Sequence, residues 1–124
     1  MKIIIETIEH KDQRYNTCGD WYWDEDGAMH VKVSRLPFHE STSILLVGVH
    51  ELVEALLCCR KGISQQQVDE FDLHFTSLGV AEPGDHPDCP YRREHFMATT
   101  IERILAQHMN IDWEQYEREI EKLG

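Results

Sequence analysis

Residues 44–59 read ILLVGVHELVEALLCC, and their placement decides how the rest of the chain must fold. Ser41 or Thr42 can cap the start of a helix and Gly62 offers a C-terminal stop, so the pattern predicts a helix over roughly 42–61. Apart from His50, Glu51 and Glu54 the segment is apolar all the way round, which is the signature of a helix expected in the core. Three ionisable groups then stand where water is scarce. A buried unpaired carboxylate is costly, so this cluster calls for a bound cation, for protonation, or for basic neighbours such as Arg92 or Arg93.

N-terminal to this helix the chain reads as sheet. Lys2 to Ile8 (KIIIETI) is rich in β-branched residues, and His10 to Gly19 is a polar loop. From Asp20 onward Trp21 and Trp23 alternate on one face, Asp26-Gly27 supplies a turn, and Met29, Val31 and Val33 resume the alternation on a returning strand. Leu36-Pro37-Phe38 breaks the sheet before the helix. Trp21 and Trp23 read first as a core face and, together with Tyr22, second as the wall of a cleft.

On the C-terminal side Ser64 and Gln67 form a capping-box pattern for a short helix to about Thr76. The stretch AEPGDHPDCP, residues 81–90, is a turn-rich loop in which Asp85, His86, Asp88 and Cys89 read as turn chemistry before metal chemistry. Tyr91 to Met109 has helical spacing at Phe96, Met97, Ile101, Ile104 and Leu105, and Asp112 with Gln115 marks a last, charged helix. The expected architecture is α+β: an antiparallel sheet of one hairpin plus one strand, packed on three to four helices in a single domain, 1–124.

The composition narrows the classes of function. A chain of 124 residues buries roughly two thirds of its unfolded surface, enough for one core. No apolar run reaches membrane-spanning length and the start MKIIIETIEHKD lacks a signal-peptide pattern, so a cytoplasmic protein is expected. Cys18, Cys58, Cys59 and Cys89 form no CxxC pair and read as reduced thiols. A net charge of −11 argues against gripping nucleic acid, which needs clustered Lys and Arg.

At 3.6 residues per turn His50 and Glu54 lie one above the other, with Glu51 turned about 100° beside them. This is the arrangement of two metal ligands and a base. His50-Glu51-Leu52-Val53-Glu54 resembles the HExxH motif of zincin-like metallohydrolases, with Glu54 where that family has its second histidine. The resemblance implies a minimal zincin-like fold, a metal held by His50 and Glu54, and Glu51 as general base. It also implies a third ligand from a downstream helix, as in gluzincins, and His95 is the candidate. Glu102, or else Asp72, can complete the site. A His-plus-Glu pair is harder than His-plus-His, so zinc leads while manganese, iron and magnesium stay open.

The chain is also similar to small phage-encoded proteins with the pattern GDW, HELVEALL, then PY and a histidine-bearing helix. Two other functions compete with hydrolysis of an unknown substrate. Glu51-x-x-Glu54 and Asp69-x-x-Asp72 loosely resemble the magnesium-binding helices of MazG-type nucleotide pyrophosphohydrolases. Alternatively, the acidic surface belongs to a non-enzymatic inhibitor that meets a basic protein partner.

Overall fold

The computed structural model describes residues 1–35, 41–78 and 82–123. Three strands, β1 (Ile3–Ile8), β2 (Gly19–Trp23) and β3 (Met29–Ser34), precede four helices, α1 (Ser41–Lys61), α2 (Gln65–Ser77), α3 (Arg92–His108) and α4 (Trp113–Glu121). The fold is α+β, as the sequence implies. The break at Leu36-Pro37-Phe38 lies outside the described residues, as do the side chains of the two capping candidates Ser41 and Thr42.

Local chemistry explains most boundaries. The hairpin closes where Gly27 takes φ 80° and its N–H bonds the Asp24 carbonyl, while the Asp24 carboxylate accepts from the backbone of Asp26 and Ala28. Helix α1 stops at Gly62, φ 74°, where Ile63 N–H reaches back 2.9 Å to the Cys58 carbonyl. A reciprocal capping box of Ser64 and Gln67 opens α2, and the Asp112 carboxylate caps α4 on Gln115 N–H.

The sheet is mixed rather than wholly antiparallel. Its order is β1-β3-β2, with β2 antiparallel and β1 parallel to β3, Ile5 standing beside Val31. The connection after β1 is long enough to step over one strand position, so the returning β3 takes the central place. Polar side chains pin that crossing. His10 Nδ1 lies 2.9 Å from Ser34 Oγ, and Gln13 Nε2 donates to Ser34 Oγ and to the carbonyls of Cys18 and Lys32. Arg14 clamps Asp20 on β2 and Asp69 on α2 at 2.6–3.1 Å.

Helix α1 packs against α3 and lies across β2 and β3. Met29, Val31 and Val33 face it fully buried, with Trp21, Leu46, Val47, Ala55 and Cys58 around them. The helix is not enclosed on every side, contrary to its all-round apolar sequence: Leu45 is 58% and Leu56 46% exposed. On α3 the expected apolar stripe fails as well. Phe96, Met97 and Ile104 are exposed, whereas Glu94, His95, Ala98, Glu102 and Ala106 are buried. The inward face of α3 borders a polar cleft, and cleft chemistry overrides hydrophobic periodicity there. All four cysteines are free thiols, and no helix among the described residues is long and apolar enough to cross a membrane.

Candidate metal centre

Glu54, one turn after His50 on α1, sits at the focus of the site. Its Oε2 lies 3.2 Å from His50 Nε2 and 2.9 Å from His95 Nδ1, which arrives from α3. Its other oxygen accepts the Trp21 indole N–H at 3.1 Å, so the hairpin fixes the carboxylate plane. The three candidate ligands are buried, and one donor atom from each lies within 4.8 Å of the others. A tetrahedral zinc with bonds of about 2.0–2.1 Å has ligand-to-ligand edges of about 3.3 Å. Two edges here already stand near that length.

Each histidine is held from behind. Glu102 Oε1 lies 2.8 Å from His50 Nδ1, and Tyr116 of α4 donates to Glu102 Oε2 at 2.6 Å. This relay keeps the Nδ1–H of His50 on Glu102 and leaves Nε2 for the cleft, the arrangement common behind metal-binding imidazoles. Glu102 therefore orients His50 rather than joining the ligand cluster. The far nitrogen of His95 lies 3.5 Å from Asp85 and 3.7 Å from Glu82. Gly84 of the same loop presses on the imidazole, for a Cβ there would stand 2.4 Å from His95 Cγ. The 83–88 loop thus covers His95, and its His86 takes no part.

Glu51 faces the same cleft, half-buried, and among the described residues its carboxyl accepts no hydrogen bond. Gly19 makes room for it, since a Cβ at Gly19 would meet Glu51 Oε1 at 2.7 Å. Asp72 stands apart, holding the hydroxyls of Tyr15, at 2.9 Å, and of Tyr91. The cleft encloses about 520 Å³.

Electrostatics in the cluster follow from these contacts. Burial raises the Glu54 carboxyl, but the hydrogen bonds from His50 and His95 overcome it and hold the group down at about 2. Burial lowers His50, yet its bonds to Glu102 and Glu54 keep it well above the ordinary imidazole value; His95 is raised in the same way by Glu54. Burial, then the Glu54 charge, pushes Glu51 well above the usual carboxylate range. The protons that His50 and His95 hold therefore face the Glu54 carboxylate, with Glu102 Oε1 against Nδ1 of His50. A divalent cation that displaced both protons would leave the charge of the cluster unchanged.

Arg92 and Arg93, the basic partners considered from sequence, are exposed, and the two histidines take that role. Tyr116 and Gly84 carry no sequence signal for this site, because each reaches it through tertiary packing, whereas Trp21 and Asp85 carry only a second reading, as cleft wall and as loop cluster. No family model matches the chain, and no curated protein and no solved structure matches it either.

Proposed function

We propose that this protein is a metal-dependent hydrolase whose divalent ion, zinc in the first place, is held by His50 Nε2, Glu54 and His95 Nδ1. The observation that carries the reading is the convergence of these three donors at the buried floor of an open cleft, with Glu102 and Tyr116 orienting His50. Such an ion, when bound, polarises a carbonyl oxygen and acidifies a water. Glu51 lines the cleft with no hydrogen bond among the described residues, and burial and the Glu54 charge favour its protonated form. A dication beside it would favour the carboxylate, which takes a proton from the attacking water and passes it to the leaving group.

The lining of the cleft favours a neutral or cationic acyl substrate. Among the described residues it presents nine carboxylates and no Lys or Arg, an environment that repels phosphate. The MazG-like alternative is weakened further because Asp69 is clamped by Arg14 and Asp72 is held by two tyrosines. The second reading that an observation favours is a purely structural ion network, since His50, His95, Glu54 and Glu102 already satisfy one another.

Replacing Glu51 by glutamine separates the two. The hydrolase reading expects Glu51→Gln to bind metal like the wild type and to lose amide or ester hydrolysis by about 10²–10⁴-fold, the usual contribution of a general base. Wild-type turnover in that variant would remove Glu51 from the mechanism. Metal-loaded protein inert toward amides and esters alike would leave a binding centre without hydrolysis.

A further inference from the structure

The outer edge of β1 carries no partner strand among the described residues, and three observations show what fits it. The carbonyls of Lys2 and Ile8 accept from Met29 of β3 and from Arg35 just past its end. Backbone groups alternate along a strand, so even-numbered residues of β1 face β3, whereas Ile3, Ile5 and Thr7 direct both N–H and C=O outward. The same odd residues share a face with Met29, Val31 and Val33, yet Ile3 is 43% and Ile5 48% exposed. Among the described residues this is an apolar edge whose outward hydrogen-bonding groups have no strand partner.

The apolar surface continues onto α1. Gly48 sits over Ile5, its position for a Cβ 3.5 Å from Ile5 Cγ2. Leu45, Leu52 and Leu56 follow Gly48 at −3, +4 and +8, so they run along one flank of the helix beside that strand. Leu45 and Leu56 are leucines of α1 left exposed against the expectation of an enclosed helix.

Charge along β1 identifies the occupant. We propose that the edge pairs antiparallel with the same edge of a second copy of this chain, about a two-fold axis through Ile4. In that register Ile3 exchanges hydrogen bonds with Ile5 of the other copy, Ile4 meets Ile4, and Lys2 stands opposite Glu6 on both sides of the axis. Glu6, already paired with Lys32 on β3, then lies between two lysines. A register centred two residues further on, at Glu6, is disfavoured by its own charge, because it sets Glu6 against Glu6. The axis is perpendicular to the sheet, so a six-stranded sheet carries both α1 helices on one face, with Leu45 and Leu56 turned toward the join. The symmetry is that of an isologous dimer.

Sedimentation equilibrium on the full chain tests this, beside two variants. Ile3→Pro removes an outward N–H at the first residue of the strand and spares every bond to β3, so the monomer keeps its fold by circular dichroism. Lys2→Glu sets like charges across the join twice. The wild type is expected to be a concentration-dependent dimer, Ile3→Pro a folded monomer, and Lys2→Glu about tenfold weaker in association. Mixing Lys2→Glu with Glu6→Lys should restore pairing in a heterodimer. A wild type that stays monomeric at high concentration, or a dimer indifferent to both variants, would overturn the proposal.

Discussion

Exchanging Glu102 for glutamine takes one negative charge from behind His50 and leaves the volume unchanged. The carboxylate now lies 2.8 Å from His50 Nδ1 and accepts the Tyr116 hydroxyl at 2.6 Å. In Glu102→Gln the amide oxygen still accepts from Nδ1–H, and the amide N–H turns to the lone pairs of Tyr116 Oη. The buried Tyr116 hydroxyl proton loses its acceptor, so folding stability should fall by about 1–3 kcal/mol. What disappears is the charge, which supports a dication at His50 Nε2 more strongly than it supports a single proton. Loss of such an orienting carboxylate costs about 10–100-fold in metal affinity, which is about 1.4–2.7 kcal/mol. Competition against a zinc indicator reads the affinity, and thermal melting of the metal-free protein reads the fold. Tyr116→Phe keeps the carboxylate and should fall between wild type and Glu102→Gln. Unchanged zinc affinity in a folded Glu102→Gln would refute the orienting role and with it the relay through Tyr116.

Two further outcomes follow from the geometry. Gly84→Ala forces a Cβ to within 2.4–2.5 Å of His95 Cγ and Nδ1, so the ligand nitrogen must move and zinc affinity should drop by about tenfold or more. Gly27→Ala, strained at φ 80° but remote from the cleft, should lower the melting temperature without touching that affinity. Burial, against the pull of Tyr91 and Tyr15, pushes the Asp72 carboxyl up from 3.8 to about 7. A carboxyl raised on folding contributes most below its unfolded value and loses that contribution as pH rises toward 7. Asp72→Asn mimics the protonated form, so its stability relative to wild type should improve by about 2 kcal/mol between pH 5 and pH 8. Denaturant melts at the two values check this, and a pH-independent difference would contradict it.

Much of the fold was legible because short-range chemistry writes element boundaries into adjacent residues. Ser64 with Gln67, Asp112 with Gln115, Asp26-Gly27 and Gly62 each act within a few positions, and the structure uses every one. The parallel place of β1 was not legible, since it depends on where a strand formed later in the chain inserts. The apolar spacing of α3 misled for a different reason: periodicity identifies a buried face only when burial is apolar. The buried face of α3 instead carries His95 and Glu102 to the cleft, with Glu94 buried beside Lys61.

The candidate site divides along the same line. His50 and Glu54 share a helix face, so i,i+4 geometry announces them, and His95 follows from the need for a third donor on the next long helix. Glu102 was legible as a carboxylate near His95, but the structure gives it to His50. Trp21 on Glu54 and Tyr116 on Glu102 join residues 33 and 14 positions apart, where no local pattern reaches.

The central claim is that His50, Glu54 and His95 hold a metal. The direct measurement is elemental mass spectrometry on untagged protein purified without chelator, for the wild type beside Glu54→Ala and His95→Ala. A tag would add histidines to the eight already present and confuse the count. A near-stoichiometric transition metal in the wild type that falls away in both folded variants is the expected result. Metal-free wild type that also takes up none on dialysis against zinc, with all three proteins folded, would contradict the claim and leave the cluster as a structural ion network.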